Sequence, residues 1–391
     1  MPKDLPAPAL STSWSQVLAL RVARQHLAER APAARLEEVV GRMLGLHAQV
    51  MSSAELQAAA RLDGLRAVDV RDALWQRRRL VKVWAYRQTL HLMTADDLAE
   101  FVVAARSLER WHTPVWLRYF KLTERDVGGL IEAVGEVLSD RPMTRADLAA
   151  AVTKRIRKPN LREAMLTGWG TFLAPAAQRG HLAFGPSDGR NVACVDPSDW
   201  LGRQIAIAAD PAAADDALGR LIGRYLAVFA GASREMIARW WGGGRMAAIH
   251  RALARVPDEI AEVEVDGLPG LVRREDLEAL GDVSARHEVR LLPGFDPFTN
   301  ELPRRVHAVL PDPHHDRVHR TAGWVTPIVV VDGRVAGTWE IGDGRNGTVE
   351  VQPFERLSAA ATKELRREVE RVAAFLERPL KVAVASPVPA D

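Results

Sequence analysis

Leu80-Val81-Lys82-Val83-Trp84-Ala85-Tyr86 and Thr89-Leu90-His91-Leu92-Met93, separated only by Arg87-Gln88, read as two short strands joined by a tight connection. Apolar residues recur at helical spacing upstream, over Trp14 to His26 and Leu36 to Leu46, and again over Ser53 to Leu62 and Val68 to Gln76. Short helices followed by a strand pair are the sequence plan of a winged helix-turn-helix.

The plan returns twice. Thr94 with Asp97 has capping-box spacing and opens the next helix, and Thr144 with Asp147 repeats it. A helical segment from Ala164 to Arg179 then precedes a hairpin from His181 to Val195 around Pro186-Ser187-Asp188-Gly189. The third occurrence runs from Ser233 through Trp241 and from Met246 to Arg255, and ends in a hairpin from Ile260 to Arg273 around Asp266-Gly267-Leu268-Pro269-Gly270. After Val289 strands dominate, with Asp332-Gly333 as a hairpin turn, and Ser358 to Leu376 is a closing amphipathic helix. The expected fold class is α+β: three tandem winged helix-turn-helix domains at 1–110, 111–205 and 206–288, then a C-terminal β-rich module at 289–391.

The balance of 47% hydrophobic and 26% charged residues over 391 residues is that of a globular, multidomain chain. Fifty-three Lys and Arg oppose 50 Asp and Glu, so cationic surface has to come from uneven distribution and not from net charge. The one cysteine, Cys194, makes neither an internal disulfide nor a thiolate zinc site, which fits a reducing compartment. No stretch approaches the roughly 18 apolar residues of a membrane span, and Met1 to Pro8 lacks an apolar signal core. A cytoplasmic location, on the nucleoid when bound to DNA, is expected, with no membrane partner.

Leu44-Gly45-Leu46-His47-Ala48-Gln49-Val50 sets two polar side chains two residues apart in an otherwise apolar, helically spaced context. With Arg87-Gln88-Thr89-Leu90-His91-Leu92, Leu292-Pro293-Gly294-Phe295-Asp296-Pro297-Phe298, and Gly323-Trp324-Val325-Thr326-Pro327 followed by Val331 to Trp339, it resembles the AlkZ-like DNA glycosylases. These segments, in this order, span most of the chain, from about Trp14 to Leu380. The resemblance implies tandem winged helices and a catalytic pair at His47 and Gln49, here as the His-x-Gln variant of the triplet. After Asp296 the chain departs from the family pattern, placing Glu301-Leu302-Pro303-Arg304-Arg305 where a Gly-Tyr and an Arg are usual.

The residue types fit one class of hydrolysis. A purine alkylated at N7 or N3 carries positive charge, leaves as a neutral base and needs no general acid. What remains is to hold a water at C1′ and tolerate an oxocarbenium-like sugar. The carbonyl oxygen of Gln49 can accept a hydrogen bond from that water, and His47, with an ordinary pKa of about 6.5, can take its proton. No Lys stands beside the motif to form a Schiff base, so no lyase step is expected. The reading is a monofunctional DNA glycosylase acting as a monomer, without cofactor or metal, on double-stranded DNA carrying alkylated purines. Bulky natural-product adducts and self-resistance come from the resemblance alone. Two binding-only alternatives stay open: a winged-helix transcriptional regulator, and an architectural DNA-binding protein.

Arg77, Arg78, Arg79, Lys82 and Arg87 flank the first strand pair, and Arg155, Arg157 and Lys158 precede a later helix, positions from which a winged helix meets phosphates. A solvated helix face is the competing reading of either run. Thr89 and His91 share one face of a strand, either as packing residues or as nucleotide contacts. Trp324 and Trp339 read as core of the β-rich module. His314, His315 and His319 follow a Pro-Asp-Pro loop with no cysteine near, against a metal site, and Gly242-Gly243-Gly244 reads as a turn and not a phosphate loop.

Overall fold

The computed structural model describes residues 8–108, 113–139, 141–159, 161–166, 171–188, 191–205, 210–242, 246–283, 288–304, 306–342 and 347–387. Gly189, Gly243, Gly244, Arg305 and most of the 1–8 stretch, all of which figure in the sequence reading, lie outside the described residues. The protein has mixed α and β structure in two compact units, each discontinuous in sequence. The first comprises Met1–Val70, Gly223–Met236 and Pro257–Asp391, and the second Arg71–Ile222 and Ile237–Val256.

In the first unit a sheet runs in the order Val289–Leu292, Ile328–Val331, Arg334–Ile341, Thr348–Pro353 and Lys381–Val384, antiparallel except for the last pair. Successive side chains of a strand point to opposite faces, so two cores form. Val289, Leu291 and Val329 join Trp339 and the closing helix Ala359–Phe375 on one side, while Leu292, Ile328 and Val330 join the N-terminal helix Trp14–Arg24 on the other. That sheet is apolar on both faces. Asp332 and Gly333 take φ of 50° and 79°, the paired left-handed conformations of a two-residue hairpin turn. Asp266 and Gly267, at 46° and 79°, do the same between Ile260–Val265 and Leu268–Arg273.

The second unit contains the strand pair expected from the opening stretch, Leu80–Trp84 with Leu90–Thr94. Its first strand pairs through Lys82 and Phe184 with the next hairpin, Ala183–Asp188 and Asn191–Val195, which Met143–Thr144 extends. The strand pairs of the first two repeats are thus merged in one sheet, a long-range pairing that local patterning does not encode. The helix starts at Thr94 and Thr144 are as expected: each hydroxyl accepts from the backbone N–H three residues on, at 3.0 Å from Asp97 and 3.2 Å from Asp147.

One boundary differs in a way that matters. The helix expected to run to Leu46 spans only Leu36–Arg42. Gly45 N–H bonds to the Val40 carbonyl and Leu44 N–H to that of Gly41, each at 3.0 Å, and Leu44 and Gly45 take φ of 57° and 100°. This is a Schellman stop with Leu, at a cost of about 1 kcal/mol, where glycine is usual. The helical spacing of apolar residues misleads because Met43 to Ala48 are buried whatever the backbone does. Leu46–His47 is therefore extended, and Gln49 sits in a bend.

Cys194, in the second unit, is fully buried, and burial pushes its thiol up to about 12. At pH 8 the thiolate that reacts with disulfide reagents is then scarce. Native protein should be nearly inert to 5,5′-dithiobis(2-nitrobenzoate) and release one equivalent in urea; prompt native labelling would contradict the burial.

Candidate active site

The site grows from helix Met51–Ala59, where Ser53, Gln57 and the following Arg61 recur every fourth position and so share one face. All three are buried, Gln57 and Arg61 completely. The Gln57 amide lies along the backbone of His47, accepting from its N–H and donating to its carbonyl, both at 3.0 Å. A side chain thus does there what a neighbouring strand would do. Gln57 Nε2 also approaches Ser53 Oγ at 3.3 Å, and that hydroxyl donates to the carbonyl of Gly294.

Arg61 ties the same face to a second segment. Its Nη1 and Nη2 donate to the two oxygens of Asp296 at 2.8 Å each, and it further reaches the Gln57 carbonyl at 2.9 Å and Gln25 Oε1 at 3.1 Å. Neither partner of this ion pair is exposed. Asp296 also caps the turn Pro297–Asn300 by accepting from Phe298 N–H at 2.9 Å. The segment Leu292 to Phe298, quoted above for resemblance alone, is thereby a rigid loop. A side chain at Gly294 would put its Cβ 2.9 Å from the Val325 carbonyl, and Phe295 takes a left-handed φ of 61° that costs of order 1 kcal/mol or more. Asn300 Nδ2 fixes that residue by donating to its carbonyl at 2.8 Å.

The strained Phe295 lies flat on the His47 ring, with centroids 4.7 Å apart and planes at 12°. Its own ring meets Trp324 edge to face at 5.0 Å. His47 is enclosed, 4% exposed, whereas Gln49 two residues on is only half-buried. Trp324, expected in the core with Trp339, is 46% exposed. Only Trp339 is core, its indole donating to the Leu292 carbonyl at 2.9 Å. The error has a local cause: Trp324 follows a one-turn loop, outside the strands whose alternation suggested burial.

Thr89 and His91 belong to the second unit. Thr89 Oγ donates to the Tyr86 carbonyl at 3.1 Å, and His91 is buried, with Nδ1 3.0 Å from the Thr89 carbonyl and its ring edge-on to Tyr86. His91 is thus packed in the interior, while Thr89 is half-buried. Arg77, Arg78 and Arg79 are exposed in the same unit. Arg77 pairs with Asp72 at 2.6 Å, and the Arg78 guanidinium stacks 4.0 Å over Trp200. Lys82 departs from a solvated phosphate contact: burial lowers its pKa, and its Nζ lies 5.9 Å from the Phe184 ring. Arg87 is half-buried at a left-handed φ of 57°. Arg155 pairs with Glu136, Arg157 ends its helix exposed, and Lys158 holds Asp126 at 2.7 Å, drawing that carboxyl down to about 2. His314 stacks on Phe354 at 3.9 Å, and the described residues hold no cluster of three potential metal ligands.

A family model described as DNA glycosylase AlkZ-like matches residues 40–375, which contain every residue of this site from His47 to Trp324. The chain belongs to the AlkZ-like DNA glycosylase family. It is 32% identical over 379 residues to the interstrand DNA cross-link repair glycosylase of Streptomyces sahachiroi, covering 95% of this chain and 100% of that one. The solved structure of the S. sahachiroi DNA glycosylase AlkZ is similar with a TM-score of 0.87, over 96% of this chain and 100% of that chain.

Sequence reading overlooked the Gln57 clamp, although polar residues at positions 53, 57 and 61, in and just after an Ala-rich helix, were its available signal. Gln57→Leu should cost about 2 kcal/mol of stability by removing two buried hydrogen bonds to His47. Urea unfolding measures this, and a loss below about 0.5 kcal/mol for the Leu variant would show the clamp to be idle.

Proposed function

We propose that this AlkZ-like protein is a monofunctional glycosylase that hydrolyses the N-glycosidic bond of cationic N7- or N3-alkylated purines in double-stranded DNA. The carrying observation is the pairing of His47, its backbone held by Gln57 and its imidazole stacked on Phe295, with a half-buried amide two residues on. The carboxylate beside them, Asp296, is fully engaged by Arg61 and by the Phe298 N–H. It is therefore not free to serve as a general acid, which supports a leaving base that brings its own positive charge.

In this reading Gln49 accepts a hydrogen bond from water at C1′ and His47 takes the proton as the C–O bond forms. The near-complete enclosure of His47 suits a group that meets water and not the base. The motif from Leu44 to Val50 holds no Lys, so hydrolysis should stop at an abasic site without strand cleavage. Family membership favours an enzyme over a regulator or an architectural protein. The similarity to a cross-link repair glycosylase supports extending the substrates to bulky N7 adducts and cross-links, with self-resistance as the corresponding role. Tandem winged helices with a β-rich C-terminal module, working as a cytoplasmic monomer without cofactor, complete the proposal, and the exposed Arg77 to Arg79 run and Arg157 supply phosphate contacts.

The test is single-turnover excision from duplexes carrying N7-methylguanine, a bulky N7-guanine adduct, uracil or unmodified guanine. Both cationic lesions should be released, uracil and guanine retained, and Gln49→Ala should slow release by on the order of a hundredfold with DNA affinity nearly unchanged. Efficient uracil release, or full activity in a folded Gln49→Ala protein, would overturn the mechanism.

A further inference from the structure

We infer that Trp324 is a specificity-determining residue that stacks on a planar aromatic face of damaged DNA beside the His47 centre, with Arg317 and Arg320 holding the adjoining phosphates. Trp324 is the one exposed tryptophan among the described residues. A large aromatic surface left in water forgoes burial that folding would otherwise use, so an occupant is the economical explanation of its exposure. Its place narrows the occupant. The ring touches Phe295, and Phe295 stacks on His47, so the exposed indole is one aromatic ring removed from the imidazole.

The residue is also held rather than loose. It leaves a single turn, Thr321–Gly323, in which Ala322 and Gly323 take φ of 56° and 76°. Its own N–H bonds to the Thr321 carbonyl at 3.3 Å, and its carbonyl accepts from Arg320 N–H at 2.8 Å. His319 bridges to Val325, and Thr326 N–H bonds to the Val318 carbonyl at 2.9 Å. An aromatic fixed in this way loses little entropy on stacking. The charges near it in the chain favour nucleic acid over protein: Arg320, bonded through its N–H to the Trp324 carbonyl, and Arg317 three residues earlier are exposed, and among the described residues neither forms an ion pair, the neighbouring Asp316 lying against His315. An aromatic platform flanked by unneutralised guanidinium groups is the combination that binds bases and their backbone.

The stacked ring can be a nucleobase at the lesion or an aryl group carried on N7, and the experiment separates the two. Its position beside the reacting centre rests on the function proposed above, so binding is measured without turnover. The probes are duplexes with hydrolysis-resistant 2′-fluoroarabino N7-methylguanine or N7-benzylguanine, titrated with wild type, Trp324→Ala, Trp324→Phe, and Arg317→Ala with Arg320→Ala. Trp324→Ala should bind roughly tenfold more weakly, Trp324→Phe should recover most of that, and the double Arg variant should flatten the salt dependence. Weakening on both probes identifies a nucleobase as the stacked ring, and weakening on the benzyl probe alone identifies the adduct. A ring that merely props Phe295 would instead leave affinity intact and slow excision of both lesions alike. That result, with Trp324→Ala binding both probes as tightly as wild type, overturns the inference. Failure of wild type to excise N7-methylguanine while Trp324-dependent binding persists would instead count against the glycosylase reading.

Discussion

A single buried ion pair, Arg61 with Asp296, joins the two segments from which the AlkZ-like site is made. One belongs to the helix whose Gln57 clamps His47, the other to the loop whose Phe295 stacks on that same ring. Desolvating two charges costs several kcal/mol and is offset only when geometry and secondary hydrogen bonds are good. Here they largely are: two parallel bonds of 2.8 Å, with further bonds to the Gln57 carbonyl, Gln25 and the Phe298 N–H, and only Arg61 Nε left without a partner. An apolar pair would pack there, but it would fix neither the left-handed Phe295 nor the register between helix and loop. The pair is best understood as positional.

That choice constrains the chemistry. With Asp296 committed to structure, the proposed centre is an imidazole and an amide, a weak set that would suit a leaving group already activated by alkylation. Phe295 covers one face of the His47 ring, and the Gln57 clamp fixes its backbone. Trp324 then extends the aromatic row from a buried ring to a solvent-facing one.

Much of this was legible in the sequence, for identifiable reasons. Left-handed turns at Asp266-Gly267 and Asp332-Gly333 and the helix starts at Thr94, Thr144 and Ser358 are local, and local chemistry fixes them. The His47 and Gln49 pair stood out because polar residues interrupt an apolar run. What was not legible depends on contacts far apart in the chain. Leu44 to Gly45 ends a helix that apolar spacing would continue, because complete burial erases the periodicity that marks one exposed side. Nothing in the spacing of Ser53, Gln57 and Arg61 tells that their partners lie at positions 47, 294 and 296. The merging of two strand pairs through Lys82 and Phe184, which removes Lys82 from solvent, is likewise set by tertiary pairing.

A double-mutant cycle in unfolding free energy on Arg61→Met and Asp296→Asn, the latter retaining a capping oxygen, tests the buried pair most directly. Each single change should cost about 3 to 5 kcal/mol because it strands the other group, and the double variant should cost little more than either single change. Additive losses across the cycle would contradict the account, for they would mean that helix and loop are held in place independently of the pair.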